Sequence, residues 1–260
     1  MEKSKPVMGE TVEALEARTP LRFPREMVVS LLALAIAWEI LSKFVPPFVI
    51  PSWARIGKSV LGLPADFIAI TLARVAVALA LSFVLGLGLA IAMYLSTGVE
   101  RYGKPIVRLL MAVPVVCWIL FAVLWFKWVE FRIAFVLIVV CGPVFLIDFL
   151  DGMRGVPREL RDMLRSFRPS RTHFFTKLIL PATLPVILTS WKINLSLAIR
   201  VVTIAELVGA VTGIGYGLVV AQELFSVADV FAWTLVLVAI LFAAEAVVTR
   251  VEERMLRWRT

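Results

Sequence analysis

Six stretches of the chain are apolar almost without interruption, roughly residues 27–44, 67–95, 106–126, 132–150, 183–206 and 230–248. Most come near the roughly 20 residues that a helix needs to cross a bilayer. The runs are continuous and do not alternate, which argues against a β-barrel. A helix is then the element that pairs every backbone N–H and C=O inside one segment of an apolar medium. The pattern predicts an all-α, polytopic membrane protein with about six transmembrane helices. Pro114 and Pro143 fall inside the third and fourth runs. Each frees a carbonyl and permits a bend, and ordinary kinks in packed helices are expected. Gly86 and Gly88, and later Gly209, Gly213, Gly215 and Gly217, allow close backbone approach. Residues 207–229 make no good span and predict a turn followed by a short helix.

The segment between the fourth and fifth runs has a different pattern. Leu160, Met163, Leu164 and Phe167 recur at i, i+3, i+4 and i+7, one face of a helix. Arg158, Arg161, Asp162 and Arg165 occupy the other face. Arg168-Pro169-Ser170 breaks the helix, because a residue before proline avoids the helical region. A second short helix, with Phe174, Phe175 and Leu178 on one side, leads to Leu180-Pro181. The result is a helix–turn–helix at the membrane surface. It either rests on lipid as an amphipathic segment or docks a partner.

Composition agrees with the hydropathy pattern. The chain is 61% hydrophobic and 18% charged, with a mean hydropathy of +0.94, too apolar for a soluble domain of this length. The formal net charge of +8 points to membrane orientation rather than to nucleic acid. With the N-terminus on the cytoplasmic side, nineteen Lys and Arg fall in inside segments and four in outside segments. Both termini and the helix–turn–helix are thereby predicted to be cytoplasmic. Residues 1–26 mix Glu with Lys and Arg and carry no apolar run, so no cleavable signal peptide is expected. The organisation expected is a cytoplasmic N-terminal segment over 1–26, a transmembrane domain over 27–248 with its cytoplasmic loop at 151–181, and a cytoplasmic tail over 249–260. Cys117 and Cys141 lie in apolar runs and read as small hydrophobes.

Five ionisable residues stand in or near the runs: Glu39, Arg74, Lys192, Arg200 and Glu206. Such groups are costly in a bilayer unless they face protein or water. They line a polar path, pair between helices, or reach out from span ends. Arg200 lies on the wrong face of its helix to pair with Glu206. Gly57-Lys58-Ser59 ends like a nucleotide-binding loop, but Ser52 stands where its first glycine belongs. His173 is the sole histidine. No metal-ligand cluster, ATP site or nucleophile–base constellation is legible, so the chain is not expected to be an enzyme or to bind a cofactor. A self-sufficient secondary carrier or channel using Arg74, Arg200 and Glu206 is the alternative, although no inverted repeat supports it.

The helix–turn–helix resembles the cytoplasmic loop of permeases from binding-protein-dependent ABC transporters. In that loop an acidic residue and two alanines precede a glycine, and a leucine-proline pair follows. Asp162 takes the acidic position, and Ile179, Leu180 and Pro181 fit the close. The lead-in from Asp151 to Leu160 is similar to the nitrate/sulfonate/taurine/bicarbonate branch. So are Trp125-Phe126 after Pro114, Ala205-Glu206, and Gly213-Ile214-Gly215-Tyr216-Gly217. The resemblance runs from about residue 30 to the C-terminus. Met163 and Leu164 replace the alanines, Arg168 the glycine, Lys127 the glycine after Trp-Phe, and Lys192 a common arginine. Arg168 adopts positive φ only at a cost, so an altered turn is expected, with Pro169 supplying the break.

The resemblance implies the type I ABC importer permease fold in a bacterial inner membrane. It implies a second permease copy or paralogue, two ATPase subunits carrying ATP and Mg2+, and an extracytoplasmic binding protein that delivers a small solute, an anion by the cationic residues of the spans. It places the ATPase contact on Glu159, Leu160, Asp162, Met163, Leu164, Phe167, Arg168 and Ser170. The path would then be lined by Arg74, Lys192, Arg200 and Glu206.

Overall fold

A computed structural model describes residues 25–256 of the chain. The described residues form helices α1 (Arg25–Phe44), α2 (Trp53–Gly62), α3 (Ala65–Leu95), α4 (Thr97–Ala112), α5 (Val115–Trp125), α6 (Val129–Arg154) and α7 (Arg158–Ser166). There follow α8 (Arg171–Phe174), a π-helical turn (Phe175–Ile179), α9 (Leu180–Gly209), α10 (Ile214–Glu223) and α11 (Val227–Met255). No strand occurs among them. Four helical runs are long and apolar enough to cross a membrane: α3, α6, the run Thr172–Gly209 and α11. A fifth is the pair α4 and α5 taken as one span, bent by 94° at its break.

Helices stand at all six expected positions, but α1, where the first span was expected, is not among the runs of described residues long and apolar enough to cross, and there are two further differences. The third run is not a kinked helix but two helices. Val113 is extended (φ −78°, ψ 127°) and Pro114 opens α5. Proline bars its predecessor from the helical region, and here the chain takes the full break. Pro143, by contrast, stays inside an unbroken α6. The second difference is at the C-terminus. The tail expected from residue 249 continues α11 as helix to Met255. The segment expected over 1–26 lies outside the described residues except for Arg25 and Glu26.

The described residues up to Trp53 form one unit and those from Ala54 onward another. Within the first, Glu39 has a local partner. Its carboxylate accepts the Trp53 backbone N–H at 3.1 Å, satisfying one of the unpaired donors at the start of α2. The Trp53 indole donates to Ala35 O at 3.0 Å, and the Trp38 indole donates to Pro51 O at 3.0 Å. This acid of the first apolar run is therefore a capping residue.

In the second unit α6 is central, packed on α3 and α9. Phe145 and Phe149 are buried on α6, and Phe83 of α3 meets both edge-on at 5.6 and 5.4 Å between ring centroids. Trp191 of α9 closes the cluster 5.2 Å from Phe83. Edge-to-face aromatic pairs add about 0.5–1.5 kcal/mol each beyond their burial. This rigid core fixes the two ends of α6, α3 and α9, where the charged residues sit.

Candidate functional site

At one end of the bundle, α3 presents Thr71 and Arg74, α6 carries Glu130 in its first turn, α9 carries Glu206 in its last turn, and the turn before α10 carries Thr212 and Gly213. These groups form one network. The Glu206 carboxylate is fully buried. It accepts from Arg74 Nη1 at 2.7 Å, from Thr71 Oγ1 at 2.9 Å and from Gly215 N at 2.9 Å. Ile214 N donates to Thr71 Oγ1 at 2.9 Å. The acid thus occupies the N-terminus of α10, where unpaired N–H groups and the helix dipole favour a negative charge.

Arg74 uses the rest of its fork on the turn and on α6. Nη1 donates to Thr212 O at 2.7 Å and Nη2 to Thr212 Oγ1 at 3.1 Å. Nε and Nη2 hold Glu130 at 2.9 and 2.7 Å. One guanidinium therefore ties four segments, which a lysine could not do. Arg132 extends the tie by donating to Phe126 O at 2.6 Å, beyond the end of α5, and to Gly209 O at 3.4 Å, at the end of α9.

The glycine pattern explains why α10 can settle on Glu206. Gly213 has φ +108°, and a Cβ there would lie 2.3 Å from Glu206 Oε1. A Cβ on Gly215 would lie 2.3 Å from Thr203 O and 2.5 Å from Glu206 Cβ. The backbone approaches the acid at distances that only glycine allows.

Of the four path candidates, the structure brings together Arg74 and Glu206, and does so as interhelical partners. Glu130, Thr71 and Thr212 are further members that hydropathy did not single out. A cavity of about 430 Å³ opens beside Arg74 and Glu130, otherwise lined by apolar residues of α3 and α6 such as Ile70, Val77 and Phe131.

Lys192 and Arg200 lie elsewhere, on the side of α9 that faces α11. Lys192 does not reach out from a span end; its ammonium pairs with Glu252 of α11. Lys192, Ser196 and Arg200 line a cavity of about 530 Å³ with Glu245 and Thr249. Arg200 is exposed and Glu245 half-buried. Glu252 was not legible as a partner, because the hydropathy falls at residue 248 while the helix continues to Met255; Glu245 stands inside the sixth apolar run and was not singled out there.

The far end of α6 carries the helix–turn–helix. Leu160, Met163 and Phe167 form an exposed apolar stripe on and just after α7, 41%, 57% and 76% exposed respectively. Leu164 is half-buried on the inner side of that stripe, and Glu159, Asp162, Arg168 and Ser170 are exposed. The turn corrects the expectation for Arg168. It has φ +48°, the left-handed conformation that glycine would supply, so the geometry is retained rather than altered. Arg168 N donates to Arg165 O at 2.9 Å, and Phe167 N to Leu164 O at 3.2 Å, closing α7 with a left-handed residue just past its C-cap. Ser170 Oγ then accepts from His173 N at 3.2 Å and starts α8. A non-glycine residue in this conformation costs about 1–2 kcal/mol. Arg168→Gly is therefore expected to stabilise the turn by about 1 kcal/mol, slowing amide exchange over residues 164–174 about five-fold. Hydrogen-exchange mass spectrometry of the purified chain checks this.

Comparison with known proteins agrees with this architecture. A family model described as "Binding-protein-dependent transport system inner membrane component" matches residues 82–257. The formylaminopyrimidine transport permease protein ThiX of Halalkalibacterium halodurans is 27% identical over 240 residues, 90% of this chain and 96% of that protein. The taurine transport system permease protein TauC of Escherichia coli is 27% identical over 192 residues, 74% of this chain and 70% of that one. Further similar permeases are named for nitrate and bicarbonate, so the likeness falls in the nitrate/sulfonate/taurine/bicarbonate branch. Among solved structures, a chain of the inward-facing MetNI methionine ABC transporter superposes with a TM-score of 0.67 at 17% identity, covering 75% of this chain and 97% of that one. That likeness places the fold among the type I ABC importer permeases.

Proposed function

The chain belongs to the family of binding-protein-dependent transport system inner membrane components, and from that premise we propose that it moves a small solute bearing an anionic group inward by ATP-driven alternating access. It is a multi-pass membrane permease component of an importer. In the proposed assembly a second permease copy or paralogue completes the path, two ATPase subunits hold ATP and Mg2+, and an extracytoplasmic protein delivers the solute. Residues 27–248 form the permease domain, 151–181 its coupling loop, and both termini are cytoplasmic, as the excess of Lys and Arg on that side favours.

The observation that carries this reading is the exposed stripe of Leu160, Met163 and Phe167 on a polar surface helix. An apolar patch of this kind outside the spans marks an interaction site. The ATPase seats on it, with Asp162, Glu159, Arg168 and Ser170 at the polar rim. ATP drives the spans only through the difference in ATPase affinity for their two arrangements. Arg200, a cation of the spans without an ion-pair partner among the described residues, supports a solute with an anionic group.

Reconstitution tests the reading. Uptake into proteoliposomes is expected only when the chain is assembled with its ATPase and binding protein and supplied with ATP. Uptake by this chain alone, without nucleotide, would instead make it a secondary carrier.

A further inference from the structure

The cleft between α9 and α11 carries two unmatched charges at one level. Both helices are long and run antiparallel, and the Lys192–Glu252 pair fixes their register. From Lys192 to Arg200 the chain climbs eight residues along α9, about 12 Å at the helical rise, and from Glu252 back to Glu245 it climbs seven along α11, about 10 Å. Arg200 and Glu245 therefore stand nearly opposite each other, as the next rung above the closed pair. Both line the same cavity of about 530 Å³, with Ser196 and Thr249 between the rungs. Yet no ion pair joins them, and among the described residues neither charged group has a hydrogen-bond partner.

An intramembrane charge without a partner faces water or a ligand and marks function by default. Here one cation and one anion share a space within the range of small-molecule sites. A site for a bare anion would keep carboxylates away, as like charge repels. Arg74 cannot serve, since Glu206 and Glu130 hold it, and Lys192 is held by Glu252. We infer that the α9–α11 cleft binds a small zwitterionic solute, its anionic group on Arg200 and its cationic group on Glu245. The inference rests on the transport reading above and narrows its solute class. The Lys192–Glu252 pair forms the floor of the site and keeps a second ligand charge from descending.

The test uses the purified permease–ATPase complex without the binding protein, so that the delivery protein's selectivity does not enter. Its thermal stability is titrated with 2-aminoethanesulfonate and 3-aminopropanoate, and with the single-charge analogues ethanesulfonate, propanoate and ethylamine. At least one zwitterion is expected to raise the melting temperature at a concentration ten-fold or more below its single-charge analogues. Arg200→Gln and Glu245→Gln should each erase that preference, and Glu245→Asp should retain it. Equal responses to zwitterion and single-charge probes in the wild type, or no response to either zwitterion, overturn the inference whatever the variants do. A preference that survives both Gln variants also overturns it. Loss of ATP-dependent uptake in the reconstituted wild type would instead remove the transport reading. Uptake that persists without a zwitterion preference removes this inference alone.

Discussion

Arg74→Ala is expected to lower the melting temperature of the purified permease by roughly 10 °C, the consequence of about 3–5 kcal/mol lost from a chain of this size. Glu206 is fully buried and Arg74 donates to it at 2.7 Å. Thr71 Oγ1 and Gly215 N would remain, but a carboxylate with two neutral donors in a low-dielectric interior is an unpaired buried charge. The turn at Thr212 would also lose both of its bonds to the guanidinium, so α10 should loosen with the ion pair. Glu130→Gln is the contrasting case. Its side chain is 66% exposed, and ion pairs of that kind contribute about 0–1 kcal/mol. Arg74→Met combined with Glu206→Leu should cost less than Arg74→Ala alone, because it removes both charges together. A melting temperature for Arg74→Ala within about 2 °C of wild type, the effect of less than one kcal/mol, would show that the network does not hold this end of the bundle.

What the sequence disclosed of this network depended on where each member stands. Arg74 and Glu206 were conspicuous because they interrupt apolar runs. Glu130 was not, since it opens a span among Lys127, Trp128 and Arg132 and there looks like an ordinary boundary charge. The same holds for Glu252, which lies where hydropathy falls although α11 runs on to Met255. Hydropathy locates the apolar part of a helix, not its hydrogen-bonded end, and charges past that point find partners on a neighbouring helix. The helices themselves were legible because continuous apolarity leaves a non-barrel chain no other element. Pro114 told where the third run would yield. Its 94° break depends on packing on both sides, which no local pattern contains. Arg168 is the converse case. The resemblance marked a glycine position, local propensity argued for an altered turn, and the closure of α7 overrode propensity with φ +48°.

Met163→Asp is expected to abolish co-purification of the ATPase while leaving the melting temperature of the isolated permease within about 2 °C of wild type. The two parts of this prediction have different physical origins. Met163 is 57% exposed and lies between Leu160 and Phe167 in the stripe on α7. In the free chain an aspartate at that position is solvated, and exposed substitutions of this kind change stability by about 0.5 kcal/mol or less. In the complex the same carboxylate would be driven into an apolar groove without a partner. A desolvation cost of about 3 kcal/mol there corresponds to more than a hundred-fold loss of affinity. Leu164 is a poorer probe, because it is half-buried and its replacement would disturb the packing of α7 on its own chain. Met163→Leu should keep the association near wild type, since it preserves volume and apolarity. ATP-dependent uptake in proteoliposomes should follow the association, lost in Met163→Asp and kept in Met163→Leu. ATPase that co-purifies normally with Met163→Asp would move the docking surface off α7 and leave that stripe to lie on lipid.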